Sequence, residues 1–106
     1  MSEIEELQQK IRTFAEGRAW NEFHTPKNLS MALAGEAGEL LAEFQWLTAD
    51  ESAPDRLSTS KKNVIEMEIA DVMIYLVRLC DVLHVNLIRA AETKRAINEG
   101  RFPLQS

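Results

Sequence analysis

Apolar residues recur every three or four positions in the first part of the chain, which is the spacing of one face of a helix. Four residues carry this pattern: Ile4, Leu7, Ile11 and Phe14. Ser2 lies just before this segment, and Glu5 follows three residues later. This is the spacing of a capping box, in which the two side chains accept hydrogen bonds from free backbone N–H groups. The pattern predicts a first amphipathic helix that ends near Gly17.

Two longer helices and a loop follow. Thr25 before a proline is typical of an N-cap and predicts a second helix over Pro26–Leu47. Polar and turn-forming residues over Thr48–Ser60 predict the main loop. Apolar residues then surround most of the helical wheel over Lys61–His84, which is typical of a helix buried on several sides.

The last element completes an all-α pattern. Asn86 can cap a fourth helix over Leu87–Asn98, and no segment alternates as a strand does. Four helices with short connections predict a four-helix bundle, a fold whose interior commonly holds metal sites. We expect residues 1–106 to form a single domain. Since so small a domain buries only a modest fraction of its surface, we also expect an oligomer.

Two pairs of acidic residues interrupt the apolar helices. Glu36 and Glu39 lie on the second predicted helix, and Glu68 and Asp71 lie on the third, each pair three residues apart. Residues with this spacing share a helix face, so each pair presents two carboxylates in one direction. A turn of about 100° per residue places these acids at or beside the apolar stripe, whereas Glu66 points about 140° away from Asp71. Two such helices can build one cation site.

The pattern alone leaves two interpretations of the acids open. Acidic pairs are often solvent-exposed surface residues of a helix without a functional role, as we expect for Glu3 and Glu6. Converging carboxylates, in contrast, repel by about 4 kcal/mol per pair at about 4 Å and an effective dielectric of about 20, so they require a cation or a proton. Hard oxygen ligands, in a chain with two histidines and one cysteine, favour Mg²⁺, with Mn²⁺ as a substitute. Such a site predicts a phosphate-bearing small molecule as ligand.

Glycines directly precede two of the acids. Gly35 and Gly38 lie inside the second predicted helix, where each costs roughly 1 kcal/mol relative to alanine. Without side chains, they would let a ligand or a neighbouring helix approach the backbone beside the carboxylates. Tight helix packing alone is the alternative interpretation.

The composition restricts the class of partner. The formal net charge is −5 and the pI is about 5.0, which argues against a surface for a nucleic acid polymer. No apolar run approaches the roughly 18 residues of a membrane span, and the N-terminus is acidic where a signal peptide is basic. We therefore expect a cytoplasmic protein with no membrane partner. Cys80, the only cysteine, lies in an apolar run and is expected to be a buried small hydrophobe.

The acidic pairs stand within longer motifs. These motifs are Arg18-x-Trp20-x-x-Phe23-His24-x-Pro26-Lys27-Asn28-Leu29, Gly35-Glu36-x-Gly38-Glu39-Leu40, Phe44-Gln45-Trp46, Glu68-x-x-Asp71-Val72-x-Ile74-Tyr75-Leu76-Val77 and Lys94-x-x-x-Asn98-x-x-Arg101-Phe102-Pro103. Together they resemble the MazG-like, all-α nucleoside triphosphate pyrophosphatases over most of the chain, and in particular the dCTP pyrophosphatase branch.

The resemblance implies an activity and its residues. The reaction would be Mg²⁺-dependent cleavage of a nucleoside triphosphate, most readily dCTP or a modified dCTP, to the monophosphate and pyrophosphate, which cleanses the nucleotide pool. The implied metal ligands are Glu36, Glu39, Glu68 and Asp71. Glu39 is our choice as acceptor of the proton of the attacking water.

A second implied set binds the substrate. Its members are Trp20, Phe23, His24, Lys27, Trp46, Tyr75, Lys94, Asn98 and Arg101. The aromatic residues would stack on or hydrogen-bond the base, while the cations and Asn98 would meet the triphosphate. Trp46 lies seven residues after Glu39, which predicts that both share one helix face.

One position departs from the animal enzymes that the chain resembles, which carry a histidine where this chain has Ile11. An apolar side chain there would relax base recognition or redirect it toward modified cytosines, dUTP or dTTP. The resemblance also implies a homotetramer, a dimer of dimers whose subunits complete one another's pockets, with a dimer as the alternative. Two other functions stay open, namely a non-catalytic metal- or nucleotide-binding regulatory module and a purely structural helical oligomer.

Overall fold

The computed structural model describes residues 1–105 and contains four α-helices without a strand in that range. These are α1 (Glu3–Gly17), α2 (Pro26–Ala42), α3 (Thr59–Leu83) and α4 (Leu87–Arg101). A short 3₁₀ helix, Asp50–Ser52, lies in the loop between α2 and α3. The all-α prediction is confirmed. The predicted domain extends to Ser106, which lies outside the described residues.

Each helix begins at a polar cap whose side chain accepts a hydrogen bond from the backbone N–H three residues later. The four caps are Ser2, Thr25, Ser58 and Asn86, with distances of 3.0 to 3.3 Å. Such bonds satisfy amide groups that the first helical turn leaves without partners. The predicted starts at Ser2, Thr25 and Asn86 are therefore confirmed. The third helix follows its cap Ser58 and begins at Thr59, two residues before the predicted Lys61.

The predicted end of α2 at Leu47 was wrong, because the helix ends at Ala42. Beyond it the backbone continues in tight turns: Phe44 N–H donates to the Leu41 carbonyl and Leu47 N–H to the Phe44 carbonyl, both at 2.9 Å. These bonds span three residues instead of the four of an α-helix. Aromatic residues such as Phe44 and Trp46 have lower helix propensity than the residues of α2.

The core lies where α3 packs between its neighbours. The α2–α3 pair forms the main helix–helix contact, and α1 packs against α3. Five apolar residues are buried there: Ala15, Leu29, Ile65, Val77 and Cys80. The burial of Cys80 confirms its predicted role as a small core residue.

The fourth helix lies apart from this core. None of the residues of α4 is buried, and its contacts with the other helices are slight. The radius of gyration is 16.9 Å, against about 13 Å for a compact domain of this length. Three helices therefore pack together within one chain, and the fourth projects. Over residues 1–105 no helix combines the length and apolar character that crossing a membrane would demand.

A buried charged network ties α1, α3 and the α1–α2 connection together. The Arg78 guanidinium is nearly fully buried and donates to Asp81 Oδ2 at 3.2 Å, Asn21 Oδ1 at 2.9 Å and His24 Nδ1 at 3.0 Å. Arg12 of α1 donates to both oxygens of Asp81, at 2.6 and 2.8 Å. The hydrogen bonds and charge of Arg12, with the charge of Arg78, lower the pKa of Asp81 against the effect of burial. Asp81 is thus held ionised between two arginines.

Ala19 lies just after α1 with a positive φ of 57°, and the cost of this backbone conformation can be tested. A Cβ atom is disfavoured in this conformation and absent in glycine. We expect Ala19→Gly to raise the free energy of unfolding by about 1 kcal/mol in urea titrations. The control is Ala34→Gly, the same change at an exposed position of α2, a helix packed in the core, which should lower it by about 1 kcal/mol. A loss of stability in Ala19→Gly comparable to that of the control would contradict this account.

Candidate metal and nucleotide site

Three of the four predicted metal-binding acids converge between α2 and α3. Glu36, Glu39 and Glu68 each offer a carboxylate oxygen, and these atoms lie within 4.8 Å of one another. Glu36 and Glu39 share a face of α2 because they are three residues apart, and Glu68 faces them from α3. We call these three residues the acid cluster. Its oxygens are close enough to be bridged by one cation.

The cluster is electrostatically unfavourable without a cation. Oε2 of Glu36 and Oε2 of Glu68 are buried and have no hydrogen-bond partner among residues 1–105. Burial raises the pKa of both carboxyls, and the neighbouring charges of Glu39 and Asp71 raise it further. Asp71 therefore lies within electrostatic range of the cluster, although it is exposed and its oxygens fall outside the group of three. A buried carboxylate without a partner normally takes a proton or a metal ion.

Lys61 is a cation near the acid cluster that was not predicted from the sequence. Lys61 Nζ lies 3.0 Å from Glu43 Oε1, and both side chains are partly buried. The charge of Glu43 contributes to the raised pKa of Glu68. Lys61 precedes Glu68 by seven residues, two turns of α3, so the wheel construction used for the acids would have placed it on their face.

A small cavity lies beside Asp71, with a volume of about 180 Å³. It is lined by Ile11, Phe14, Ala15, Trp20, His24, Asp71, Ile74, Tyr75 and Arg78. The rings of Phe14 and Trp20 meet edge to face at 5.5 Å between centroids, and Trp20 and His24 lie 5.8 Å apart. We call this space the base cavity, after the role that the sequence resemblance implies for Trp20 and Tyr75. It is smaller than the several hundred Å³ that enclose a whole drug-sized ligand, so it would enclose only part of one.

The structure brings three of the predicted substrate residues to this cavity and leaves others exposed. Trp20, His24 and Tyr75 line it, as does Ile11. Phe23 is 60% exposed in the α1–α2 connection, and Lys27 is exposed in the first turn of α2.

Trp46 lies in a different place from the one predicted. The prediction that it shares a helix face with Glu39 was wrong, because α2 ends at Ala42 and Trp46 lies in the following turns. Its side chain is 87% exposed. Trp46 is not among the residues that line the base cavity of its own chain.

The remaining predicted phosphate contacts lie on α4. Lys94, Asn98 and Arg101 follow one another along that helix, and no described hydrogen bond, ion pair or cavity joins them to the acid cluster within residues 1–105. Arg18, a further cation of the sequence motifs, has partners in α1. Its guanidinium donates to the Phe14 carbonyl at 3.2 Å and stacks 3.5 Å above the Phe14 ring. One chain thus supplies the acids and the cavity, but not these cations.

The glycines of α2 have open space around them. Among the 105 described residues, a Cβ atom built at Gly35 or Gly38 would meet nothing within 4 Å outside its own helix. Tight packing between helices of the same chain therefore does not explain them. The approach of a ligand, or of a second chain, beside the carboxylates still does.

Comparison with known proteins agrees with this geometry. Human dCTP pyrophosphatase 1 is 40% identical over 100 residues, which cover 94% of this chain and 59% of the human protein. The rat protein of the same name is 39% identical over 101 residues, 95% of this chain and 59% of the relative. The crystal structure of a pyrophosphatase from Archaeoglobus fulgidus superposes with a TM-score of 0.89 at 40% identity, over 98% of this chain and 95% of that one. The chain belongs to the MazG-like pyrophosphatase family. No family model matches it.

Membership of the MazG-like pyrophosphatase family confirms the resemblance seen in the sequence motifs. The chain spans about 59% of the length of the mammalian relatives, whereas it covers nearly all of the archaeal protein. The archaeal match shows that the helices described above make up almost all of a solved pyrophosphatase chain.

The raised pKa of Glu68 predicts how the stability of this MazG-like family member depends on pH when no metal is bound. A carboxyl whose folded-state pKa is raised stabilises the fold below its ordinary pKa of 4.5, and this contribution is lost as the pH rises through the raised value. Glu68→Gln cannot ionise. With a chelator present, we expect its Tm to exceed that of the parent at about pH 8, and the difference to shrink toward about pH 4.5.

The matched control is Glu66→Gln, which removes one charge from an exposed position on the same helix. Its Tm should follow the parent at both pH values within the small effects usual for surface substitutions. An equal response of the two variants to pH would show that the burial of Glu68 and its acidic neighbours is not the cause.

Proposed function

We propose that this chain is a Mg²⁺-dependent nucleoside triphosphate pyrophosphohydrolase. The observation that carries the proposal is the convergence of Glu36, Glu39 and Glu68. Within residues 1–105, a buried oxygen of Glu36 and one of Glu68 lack hydrogen-bond partners. The names of the mammalian and archaeal relatives support the same activity. In the reaction, a water oxygen bonds to one phosphorus of the α–β linkage and the bridging P–O bond breaks. The nucleoside monophosphate and pyrophosphate then leave.

The donor set fits the proposed ion. All three convergent atoms are carboxylate oxygens, the hard ligands that Mg²⁺ and Mn²⁺ prefer, and Asp71 is the proposed fourth ligand. Such an ion, when bound, neutralises phosphate charge and lowers the pKa of a bound water. Glu39 is the exposed member of the cluster, while Glu36 and Glu68 are half-buried. This exposure supports Glu39 as the group that accepts a proton from the attacking water.

The base cavity supports a single-ring base as the recognised part of the substrate. Trp20 and Tyr75 provide aromatic surfaces, and Asp71 connects this space with the acids. We propose dCTP or a modified dCTP as the preferred substrate. Ile11 contributes an apolar wall, which would accommodate an apolar substituent on the ring better than a polar side chain would.

We further propose that the functional unit is an oligomer, with the homotetramer implied by the resemblance as our choice. The accessible surface of the chain is 8189 Å², against about 6,000 Å² for a compact 12.0 kDa monomer. Large apolar residues of α2 and α3 are exposed, namely Met31, Leu41, Val64, Met67 and Ile69. Exposed large apolar side chains on the two most extensively packed helices support a protein–protein interface there. Trp46 and the cations of α4 are accordingly available to complete the site of a neighbouring subunit.

The alternative function is a non-catalytic regulatory module that binds a metal ion or nucleotide. The same acids would serve it, so binding alone does not separate the two. Turnover does, because a binding module releases no pyrophosphate.

The activity test is pyrophosphate release from a panel of canonical and modified nucleoside triphosphates, with and without Mg²⁺. We expect release only with the metal, and a loss of at least about 100-fold in kcat/KM for Glu36→Gln and Asp71→Asn. Each variant removes a proposed ligand charge that contributes several kcal/mol to the stability of the transition state. Glu66→Gln is the control and should retain parental activity. No release from any nucleotide would overturn the enzyme in favour of the module.

The metal assignment has a test that does not depend on turnover. A ligand that binds only the folded state at about 100 times its Kd stabilises it by about 2.7 kcal/mol. We therefore expect saturating Mg²⁺ to raise the Tm of the parent and of Glu66→Gln, and to leave that of Glu36→Gln nearly unchanged. A parental Tm that does not respond to Mg²⁺ would show that the acids do not bind the ion, in favour of the purely structural oligomer.

A further inference from the structure

The guanidinium of Arg78 is the buried charged group nearest to the base cavity, and its contacts are unusually complete. Its side chain is 7% exposed, and each of its three nitrogens donates to a different residue. The acceptors are Asp81 Oδ2, Asn21 Oδ1 and His24 Nδ1. Asp81 is in turn fixed by two bonds from Arg12. Arg78 is therefore held in one position by partners on α3 and on the α1–α2 connection.

The bond to His24 determines where the imidazole carries its proton. A guanidinium has only donors, so the Nδ1 atom that lies 3.0 Å from Arg78 Nε must accept through its lone pair. A neutral ring with a free lone pair on Nδ1 carries its hydrogen on Nε2. Both the burial of His24 and the positive charge of Arg78 lower its pKa, which agrees with a neutral ring.

Nε2 is then the polar side-chain atom of His24 that is left for a ligand. His24 lines the base cavity, and the walls around it are mostly apolar or aromatic: Ile11, Phe14, Trp20 and Ile74. Asp71, Tyr75 and Arg78 also belong to the lining. A donor of fixed direction is selective, because a ligand that presents another donor to it leaves both groups unpaired. These walls suit a ring better than a phosphate, which would bring charge against apolar surface.

We propose that Arg78 is a positioning residue that holds His24 as the neutral tautomer with its proton on Nε2, so that the base cavity offers a hydrogen-bond donor to a carbonyl oxygen of a pyrimidine base. The choice of ligand rests on the proposed function. The tautomer itself rests only on the geometry of the network. Arg78 acts through His24 and touches no reacting atom.

The tautomer is tested by ¹⁵N NMR of protein labelled at histidine. The chain has two histidines, so the His84→Asn variant assigns both. At neutral pH we expect His24 in the parent with a protonated Nε2 and an unprotonated Nδ1. In Arg78→Leu, which leaves Asp81 paired with Arg12, the signals should move to the average of two tautomers. Arg12→Lys removes a neighbouring arginine without touching His24 and should keep the parental signals.

The parental spectrum decides the question even if Arg78→Leu does not fold. A proton on Nδ1, or an imidazolium at neutral pH, would overturn the proposal. Parental signals in a folded Arg78→Leu variant would show that Arg78 does not set the tautomer.

The donor is tested by kinetics with dCTP. His24→Phe keeps a ring without a donor, whereas the amide of His24→Gln can place an N–H group near the position of Nε2. We expect the KM for dCTP to rise about tenfold in the phenylalanine variant with kcat little changed, and to return toward the parental value in the glutamine variant. An unchanged KM in His24→Phe would overturn the donor role. A parent that does not cleave dCTP would overturn the proposed substrate and this ligand together, while the NMR spectrum separately decides the tautomer.

Discussion

Mutual repulsion among carboxylates on the two most extensively packed helices is the constraint on which this fold depends. The contact between α2 and α3 brings Glu36 and Glu39 opposite Glu68. It leaves an oxygen of Glu36 and one of Glu68 buried without a hydrogen-bond partner in the described part of the chain. Apolar burial between the same helices must therefore outweigh an electrostatic cost that the chain alone does not relieve. The acids are held in place before any cation arrives, which is the preorganisation that a binding site requires.

The buried network around Arg78 has the opposite character. There every charge has a partner of opposite sign or a hydrogen bond, and the bonds join α1, α3 and the α1–α2 connection. Breaking such a network by removing one member leaves an uncompensated buried charge, which is strongly destabilising. The base cavity is thus lined by the paired guanidinium of Arg78 and also by Asp71. The charge of Asp71 acts on Glu36, whose carboxylate belongs to the unpaired acid cluster.

Local signals explain which parts of this structure were predictable. The starts at Ser2, Thr25 and Asn86 were found because a cap and its amide partner are only three residues apart. The end of α2 was missed because the shift from four-residue to three-residue bonds near Phe44 leaves no comparable mark in the sequence. The helical wheel brought Glu36, Glu39 and Glu68 to one place, since it requires only that two helices face each other.

Contacts between distant parts of the chain were not predictable in this way. Arg78 and His24 are separated by 54 residues, and Arg12 and Asp81 by 69. Nothing in the local pattern of either segment indicates that the two meet. Arg78 follows Asp71 by seven residues, so its helix face could be inferred, but its partners could not.

Because α4 projects from its own chain, its helical structure would depend on subunit association and therefore on protein concentration. A 15-residue helix that buries none of its side chains is marginal in water, because helix propensity alone rarely outweighs the cost of ordering the backbone. In a dilute, separated subunit its last turns would fray, and with them the placement of Lys94, Asn98 and Arg101. Under the proposed assembly, subunit association raises the affinity for the nucleotide, and nucleotide binding favours association in return. Dilution alone would therefore lower the affinity for substrate without any change of sequence.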